Sequence, residues 1–228
     1  MPGVSAVIFG AKCLSREEIE NKRVIDVGSF DFNGSIRPIL ENWQPTEYLG
    51  VDMIEGPSVD LVCNADDLVE KFGKDSFDVV LSLEMLEHSP NWQKSITNLK
   101  SICKPNGIIL ITTRSYGYPY HGYPNDFWRY ELKDMEAIFA DCEILALESD
   151  NQAPGVFIKA IKPENFVEKD LSDYQLHSMV VNHRVVAVSE KDFAGSYFKR
   201  LTLKQKVKGL AHGLFLDSGK LVSNFLKL

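Results

Sequence analysis

Apolar residues along this chain fall into short, nearly continuous runs that alternate with stretches of helical periodicity. The runs over 23–27, 48–52, 59–63, 77–83 and 107–112 predict strands buried on both faces. Between them, apolar spacing and polar starts predict helices over 35–42, 65–72 and 92–103. Ser15 and Glu18 stand at capping-box spacing, which predicts a first short helix over about 15–22. Strands separated by helices imply right-handed crossovers and therefore parallel pairing. After a helix over 132–139 the rhythm changes. Two strand-like runs, 142–148 and 156–161, are joined by Asp150, Asn151, Pro154 and Gly155, which reads as an antiparallel hairpin.

The expected fold is thus α/β: a Rossmann-like, mostly parallel seven-stranded sheet with a terminal antiparallel hairpin and helices on both faces. Pro163 closes this domain, residues 1–163, and residues 164–228 form a mostly helical C-terminal extension. With 228 residues, of which 44% are hydrophobic, the chain is long enough to bury one sizeable core. A net charge of -7 argues against general affinity for nucleic acid phosphates, which needs a basic face. Cys13, Cys63, Cys103 and Cys142 are scattered, with no CxxC pair and no Cys/His cluster at zinc-ligand spacing, so they read as reduced thiols of a cytoplasmic protein. The apolar run over 4–9 follows no basic residue and is too short to span a bilayer, so neither a signal peptide nor a transmembrane helix is expected.

The chemistry concentrates at the strand ends. The first strand runs into Asp26-Val27-Gly28-Ser29, and the chain then turns through Phe30, Asp31, Phe32 and Asn33 to Gly34-Ser35 at a helix start. Glycine lets such a loop turn sharply and lets a ligand approach the backbone, beside the usual ligand crevice of an open parallel sheet. Asp52 ends the second strand, where a carboxylate can accept two ribose hydroxyls. The third strand ends in Asn64, Ala65 and Asp66, whose oxygens can accept from an adenine amino group. The fourth, Asp78-Val79-Val80, leads to Glu84, Glu87 and His88, and Pro105-Asn106-Gly107 precedes the fifth.

This ordered set resembles the class I S-adenosylmethionine-dependent methyltransferases, type 11-like, over about residues 23–162. The resemblance implies S-adenosyl-L-methionine as cofactor and places the cofactor half at 23–113. Asp26, Gly28, Ser29 and Gly34 would shape its methionine end, Asp52 would hold the ribose, and Asn64, Ala65 and Asp66 would meet the adenine. Glu84 would line the cofactor through its backbone. The usual second loop glycine is absent, with Phe30 and Asp31 in that stretch, and the loop is similar to that of a subgroup carrying V-G-S-x-D-x-N-G-S, often associated with sugar or cell-surface polymer assembly. The activated sulfonium demands no metal.

An aromatic stretch over 114–130, too rich in Gly and Pro for a helix, is expected as a lid over the acceptor site. Arg114 and Arg129 can grip an anionic group, while Tyr116, Tyr123 and Trp128 can stack on a flat or sugar-like acceptor; the plain alternative is an aromatic minicore that pins the loop. His88 is the first candidate proton acceptor, with His121 and Asp126 behind it, against the alternative of a capping or core histidine. The expected activity is methyl transfer to an oxygen or nitrogen of a small-molecule or carbohydrate-type acceptor. The rivals are a cofactor-binding module without catalysis and a nicotinamide-dependent oxidoreductase, the latter disfavoured by the hairpin and the missing GxGxxG. In the tail, Leu203, Val207, Leu210 and Leu214 share a helical face, a pattern repeated at Leu221, Phe225 and Leu228, with Lys204, Lys206, Lys208, Lys220 and Lys227 against Asp217. Such a helix is expected to dock on its own domain or on a second subunit, in a homo-oligomer, rather than to lie on an anionic membrane.

Overall fold

In the computed structural model, which describes residues 3–32, 34–122 and 126–207, the buried runs assemble into one seven-stranded sheet. Its strands are β1 (Arg23–Val27), β2 (Glu47–Asp52), β3 (Leu61–Val62), β4 (Phe77–Leu83), β5 (Cys103–Arg114), β7 (Glu143–Ser149) and β8 (Gly155–Ile161). They lie in the order β3-β2-β1-β4-β5-β8-β7, the first five parallel and β8 antiparallel to both its neighbours. The expected hairpin is present, and β8 inserts between β5 and β7. Its turn is tied by Asp150, whose N–H donates to Gly155 O at 2.9 Å and whose Oδ1 accepts from the Gln152 N–H at 2.9 Å.

Successive residues of the central strands face opposite cores. Val24, Val79, Leu81 and Leu110 pack under α1 (Val4–Cys13), α2 (Arg16–Ile19) and α3 (Arg37–Glu41), against Ala6, Phe9, Ile19 and Leu40. Ile25, Val80, Ile109 and Ile111 face α4 (Leu68–Phe72), α5 (Trp92–Ile102) and α6 (Leu132–Ile138), against Leu68, Ile96, Leu99 and Met135. Each such side chain contributes about 1.5–3 kcal/mol by leaving water, which is why the strands need apolar residues on both faces. The capping box of Ser15 and Glu18 starts α2 as expected.

Three elements differ from their sequence expectations. The run over 4–9 begins a helix, α1, which Gly10 lets approach the start of α3: a Cβ there would stand 2.4 Å from Ile36 Cδ1. The third strand shrinks to two residues, because Asp60 bends the chain by accepting from the Gly50 N–H at 2.7 Å. The helix expected over 65–72 begins as a 3-10 turn, Ala65–Asp67, before α4, with Asn64 Oδ1 accepting from the Asp66 N–H at 3.0 Å.

The segment over 114–130 does not stay a pure loop. It contains β6 (Trp128–Arg129), which joins β9 (Leu176–Ser178) and β10 (Arg184–Val185) in a second sheet of order β10-β9-β6. The tail therefore contributes two strands besides α7 (Glu190–Phe193) and a helical stretch over 196–207. Phe198 is buried, and Gln205 Nε2 donates to Tyr120 O at 3.0 Å, so the tail holds the lid down. Leu203 and Val207 are exposed; Lys208, Leu210, Leu214, Asp217, Lys220, Leu221, Phe225, Lys227 and Leu228 lie outside the described residues, as does Tyr123 of the lid. Among the described residues no helix is long and apolar enough to cross a membrane.

Candidate functional site

Parallel pairing brings the C-terminal ends of β1, β2, β3 and β4 to one edge of the sheet, so the residues singled out there converge by topology. Gly28 follows β1 at φ +88°, a left-handed conformation that disfavours a side chain, and its N–H donates to Val51 O at 2.8 Å. A Cβ on Gly28 would sit 2.6 Å from Met85 Cβ. Met85 comes this close because β4 ends in a sharp bend at Glu84, itself at φ +58°. A non-glycine residue held there is strained, and such strain concentrates at functional sites.

Phe30 explains the irregular loop. Its ring fills the space over Gly56, where a Cβ would lie 2.1 Å away, and it stacks on Phe32 at 4.4 Å between centroids. Asp31 Oδ1 accepts from the Gly34 N–H at 2.8 Å, which ties the two sides of the loop together. A Cβ on Gly34 would meet nothing within 4 Å, so this side of the loop is open. Ser29 is buried and donates to Ser58 O at 3.0 Å. Asp52 is half-buried, its two oxygens accepting from the Phe30 N–H at 3.3 Å and the Ile54 N–H at 3.1 Å. Beyond it an open groove of about 620 Å³ runs along Met53, Val62, Cys63 and Asn64. Asp66 Oδ1 accepts from Ser95 Oγ at 3.2 Å, and Ala65 O from Asn98 Nδ2 at 2.8 Å, so both residues tie the third strand end to α5.

Asp26 is 4% exposed; Oδ2 accepts from the Tyr48 hydroxyl at 2.8 Å, while Oδ1 has no hydrogen-bond partner. Burial pushes its pKa up to about 6, partly opposed by that hydroxyl. A buried acceptor left orphaned beside an open glycine loop calls for an incoming donor, and the ammonium of an amino acid fits it. Asp52 retains lone pairs toward solvent for a pair of hydroxyls. The residues present therefore fit a cofactor with a methionine end and a ribose.

Next to this edge stands a second cluster. Arg114, 6% exposed, pairs with Glu84, approaches Asp150 Oδ2 at 3.4 Å, and lies over the Tyr118 ring at 4.2 Å. Desolvation and the nearby Glu87 charge raise the Glu84 pKa. Glu87 is fully buried in the 3-10 turn Leu86–His88; burial pushes its pKa upward, but the imidazoles of His88 and His121 help turn the net shift downward. The three candidate proton acceptors come together, His88 reaching His121 from 33 positions away: His88 Nε2 lies 3.2 Å from His121 Nε2, and His121 Nδ1 lies 3.0 Å from Asp126 Oδ2.

Two lid expectations are corrected by burial. Arg129 is fully buried, its Nη1 2.5 Å from Asp126 Oδ1, and it donates to the carbonyls of Tyr118, Pro119 and Trp128, so it organises the lid rather than gripping an acceptor. Trp128, equally buried, donates from Nε1 to Ser89 O at 2.8 Å and is core, not a stacking platform. Asp126 is not a free base either: against the effect of burial, Arg129 and His121 hold its carboxyl well below the usual carboxylate range. Tyr116 stays 64% exposed, edge-on to His177 at 4.8 Å. Sequence reasoning passed over Glu87 as a functional group, although its place beside His88 was a signal.

A protein-family profile described as a methyltransferase domain matches residues 10–141, more than half of the chain. No curated protein matches the sequence. Among solved structures, the chain is similar to the Burkholderia thailandensis 1,6-didemethyltoxoflavin-N1-methyltransferase with bound 1,6-didemethyltoxoflavin and S-adenosylhomocysteine. The TM-score is 0.57 at 15% identity, over 69% of this chain and 78% of that one. It is also similar to an S-adenosylmethionine-dependent methyltransferase from Mesorhizobium loti, with TM-score 0.51 at 17% identity, over 69% of this chain and 98% of that one. At these identities the likeness is one of fold.

Proposed function

The chain belongs to the methyltransferase-domain family, and from that premise we propose that it transfers a methyl group from S-adenosyl-L-methionine to an oxygen or nitrogen of a small or sugar-like acceptor. The observation that carries the cofactor assignment is the orphaned Asp26 oxygen beside the open loop of Gly28 and Gly34, with Asp52 on the adjacent strand end. When bound, the cofactor supplies an activated sulfonium methyl.

The chain's own residues bind, orient and exclude water. Asp26 receives the ammonium, Gly28, Ser29 and Gly34 give the backbone room, and Asp52 accepts from the ribose hydroxyls. Asn64, which lines the groove past Met53, and its neighbours Ala65 and Asp66 border the adenine. Glu84, strained at its bend, presents its backbone to the cofactor and its carboxylate to Arg114. Holding the reacting groups in line supplies much of the acceleration in such transfers. A neutral His88 or His121 can take the proton an acceptor releases, with Asp126 positioning His121. Tyr116, the exposed ring of the lid, is offered to the acceptor, while Arg114, buried between Glu84 and Asp150, holds that side of the site in place; a hydroxyl or amine on a flat or cyclic molecule suits the aromatic lid.

Calorimetry with S-adenosylmethionine and S-adenosylhomocysteine tests the first half; saturable binding of both is expected, and binding of neither refutes the proposal. Formation of S-adenosylhomocysteine in the presence of sugar, phenol and amine acceptors tests the second half. Cofactor binding with no turnover on any acceptor would favour a non-catalytic binding module.

A further inference from the structure

Glu87, His88 and His121 converge more closely than a proton-transfer pair requires. Their ligand atoms lie within 4.8 Å of one another, with His88 Nε2 and His121 Nε2 3.2 Å apart and Glu87 Oε1 3.8 Å and 3.9 Å from them. Donors about 2.1 Å from one cation stand roughly 3.0–3.4 Å apart in octahedral or tetrahedral geometry. The histidine pair already fits this spacing, and the Glu87 sides of the triangle close with a shift of about 0.4–0.9 Å.

The surroundings prepare each ligand. Thr113 Oγ1 donates to Glu87 Oε2 at 2.8 Å, which fixes the carboxylate and leaves Oε1, fully buried, with no hydrogen-bond partner. A buried carboxylate oxygen is costly to leave unsatisfied. Asp126 Oδ2 stands 3.0 Å from His121 Nδ1, which keeps the proton on that nitrogen and turns the Nε2 lone pair toward the cluster. Arg129 in turn anchors Asp126. A carboxylate behind a ligating histidine is the usual outer support of a metal site. The two imidazole side chains are 26% and 27% exposed, so a cation can enter and keep positions open on the solvent side.

We propose that Glu87, His88 and His121 form a binding site for a divalent transition-metal cation, with open positions that take an oxygen of the methyl acceptor. Two imidazoles and one carboxylate, with no sulfur, suit Mn²⁺, Fe²⁺, Co²⁺ or Zn²⁺. Two neutral imidazoles and one carboxylate leave a bound dication with net positive charge. With both imidazole lone pairs on the cation, that charge takes over from the histidines in drawing off the proton: a hydroxyl of the acceptor gives its proton to water and stays bound as the alkoxide. The acceptor role rests on the methyl-transfer reading; cation binding does not.

The test is calorimetric titration of Co²⁺, Mn²⁺ and Zn²⁺ into chelator-treated full-length protein, with the Co²⁺ visible spectrum as a second readout. One saturable ion per chain is expected. His88→Ala and His121→Ala should each weaken binding at least tenfold, and Asp126→Asn should weaken it less, with melting curves confirming that each variant is folded. No saturable binding of any of the three ions overturns the site, as does binding undiminished in both folded histidine variants. Turnover unaffected by chelation overturns the acceptor role alone, while failure of the methyl-transfer reading shows instead as no binding of S-adenosylhomocysteine.

Discussion

The edge formed by β1 to β4 and the lid over 114–130 are built on opposite principles. At the edge, each candidate residue sits in the turn directly after its own strand, and parallel pairing alone assembles the set. In the lid, position depends on contacts across the sequence: Phe127 N–H reaches Glu87 O at 2.8 Å, Met179 N–H reaches Phe127 O at 2.7 Å, and β6 pairs with β9. The edge therefore carries a left-handed turn at Gly28, strain at Glu84 and an orphaned acid, whereas the lid carries buried salt bridges. A site that waits for a ligand is left unsatisfied; a scaffold that must hold its own shape is not.

The largest effect should come from breaking the lid's anchor. Arg129→Ala leaves the Asp126 charge buried without its guanidinium, and a loss of about 3–5 kcal/mol in urea unfolding is expected. An unchanged midpoint would show that the lid does not depend on this pair.

The edge should instead reveal itself through pH. The folded Asp26 value, about 6, lies above the ordinary 3.8, so its contribution to the stability of the cofactor-free protein is fully present below pH 3.8 and is lost as pH rises through about 6. The loss amounts to roughly 3 kcal/mol. Asp26→Asn should flatten this dependence in unfolding curves taken across that range, while weakening S-adenosylhomocysteine binding about tenfold or more. A variant that keeps the full dependence would assign it to another group.

The smallest effect on stability belongs to Tyr116, the exposed ring of the lid. Tyr116→Ala should shift unfolding by no more than about 0.5 kcal/mol. A rise in KM for the acceptor at unchanged cofactor affinity would place this ring at the acceptor; unchanged KM would leave it a surface residue packed on His177.

The strand positions, the terminal hairpin and the capping box of α2 were legible because each follows from local patterning. The α1 helix was less so: its apolar residues are too evenly spread to mark one face, and only the packing of Ala6 and Phe9 under the sheet defines it. Phe30 was legible as a departure from the glycine loop but not as the ring that fits over Gly56, since that match lies 26 positions away. Arg129 and Trp128 were placed on the acceptor side because residue type says what a side chain can do, not whether it faces a ligand.

What the sequence determined by itself is the alternation of buried strands and helices, and with it the parallel sheet whose ends gather Asp26, Gly28, Asp52, Asn64 and Glu84. Those residues are fixed by strand topology, which hydrophobic periodicity encodes. Only the tertiary structure decided that β6 leaves the lid to pair with the tail, that Asp126 is bound to Arg129, and that Glu87, His88 and His121 meet. The physical reason is that the β6–β9 pairing and the approach of His121 to Glu87 and His88 span long separations, while the Asp126–Arg129 pair, only three residues apart, is fixed by burial; neither leaves a period along the chain.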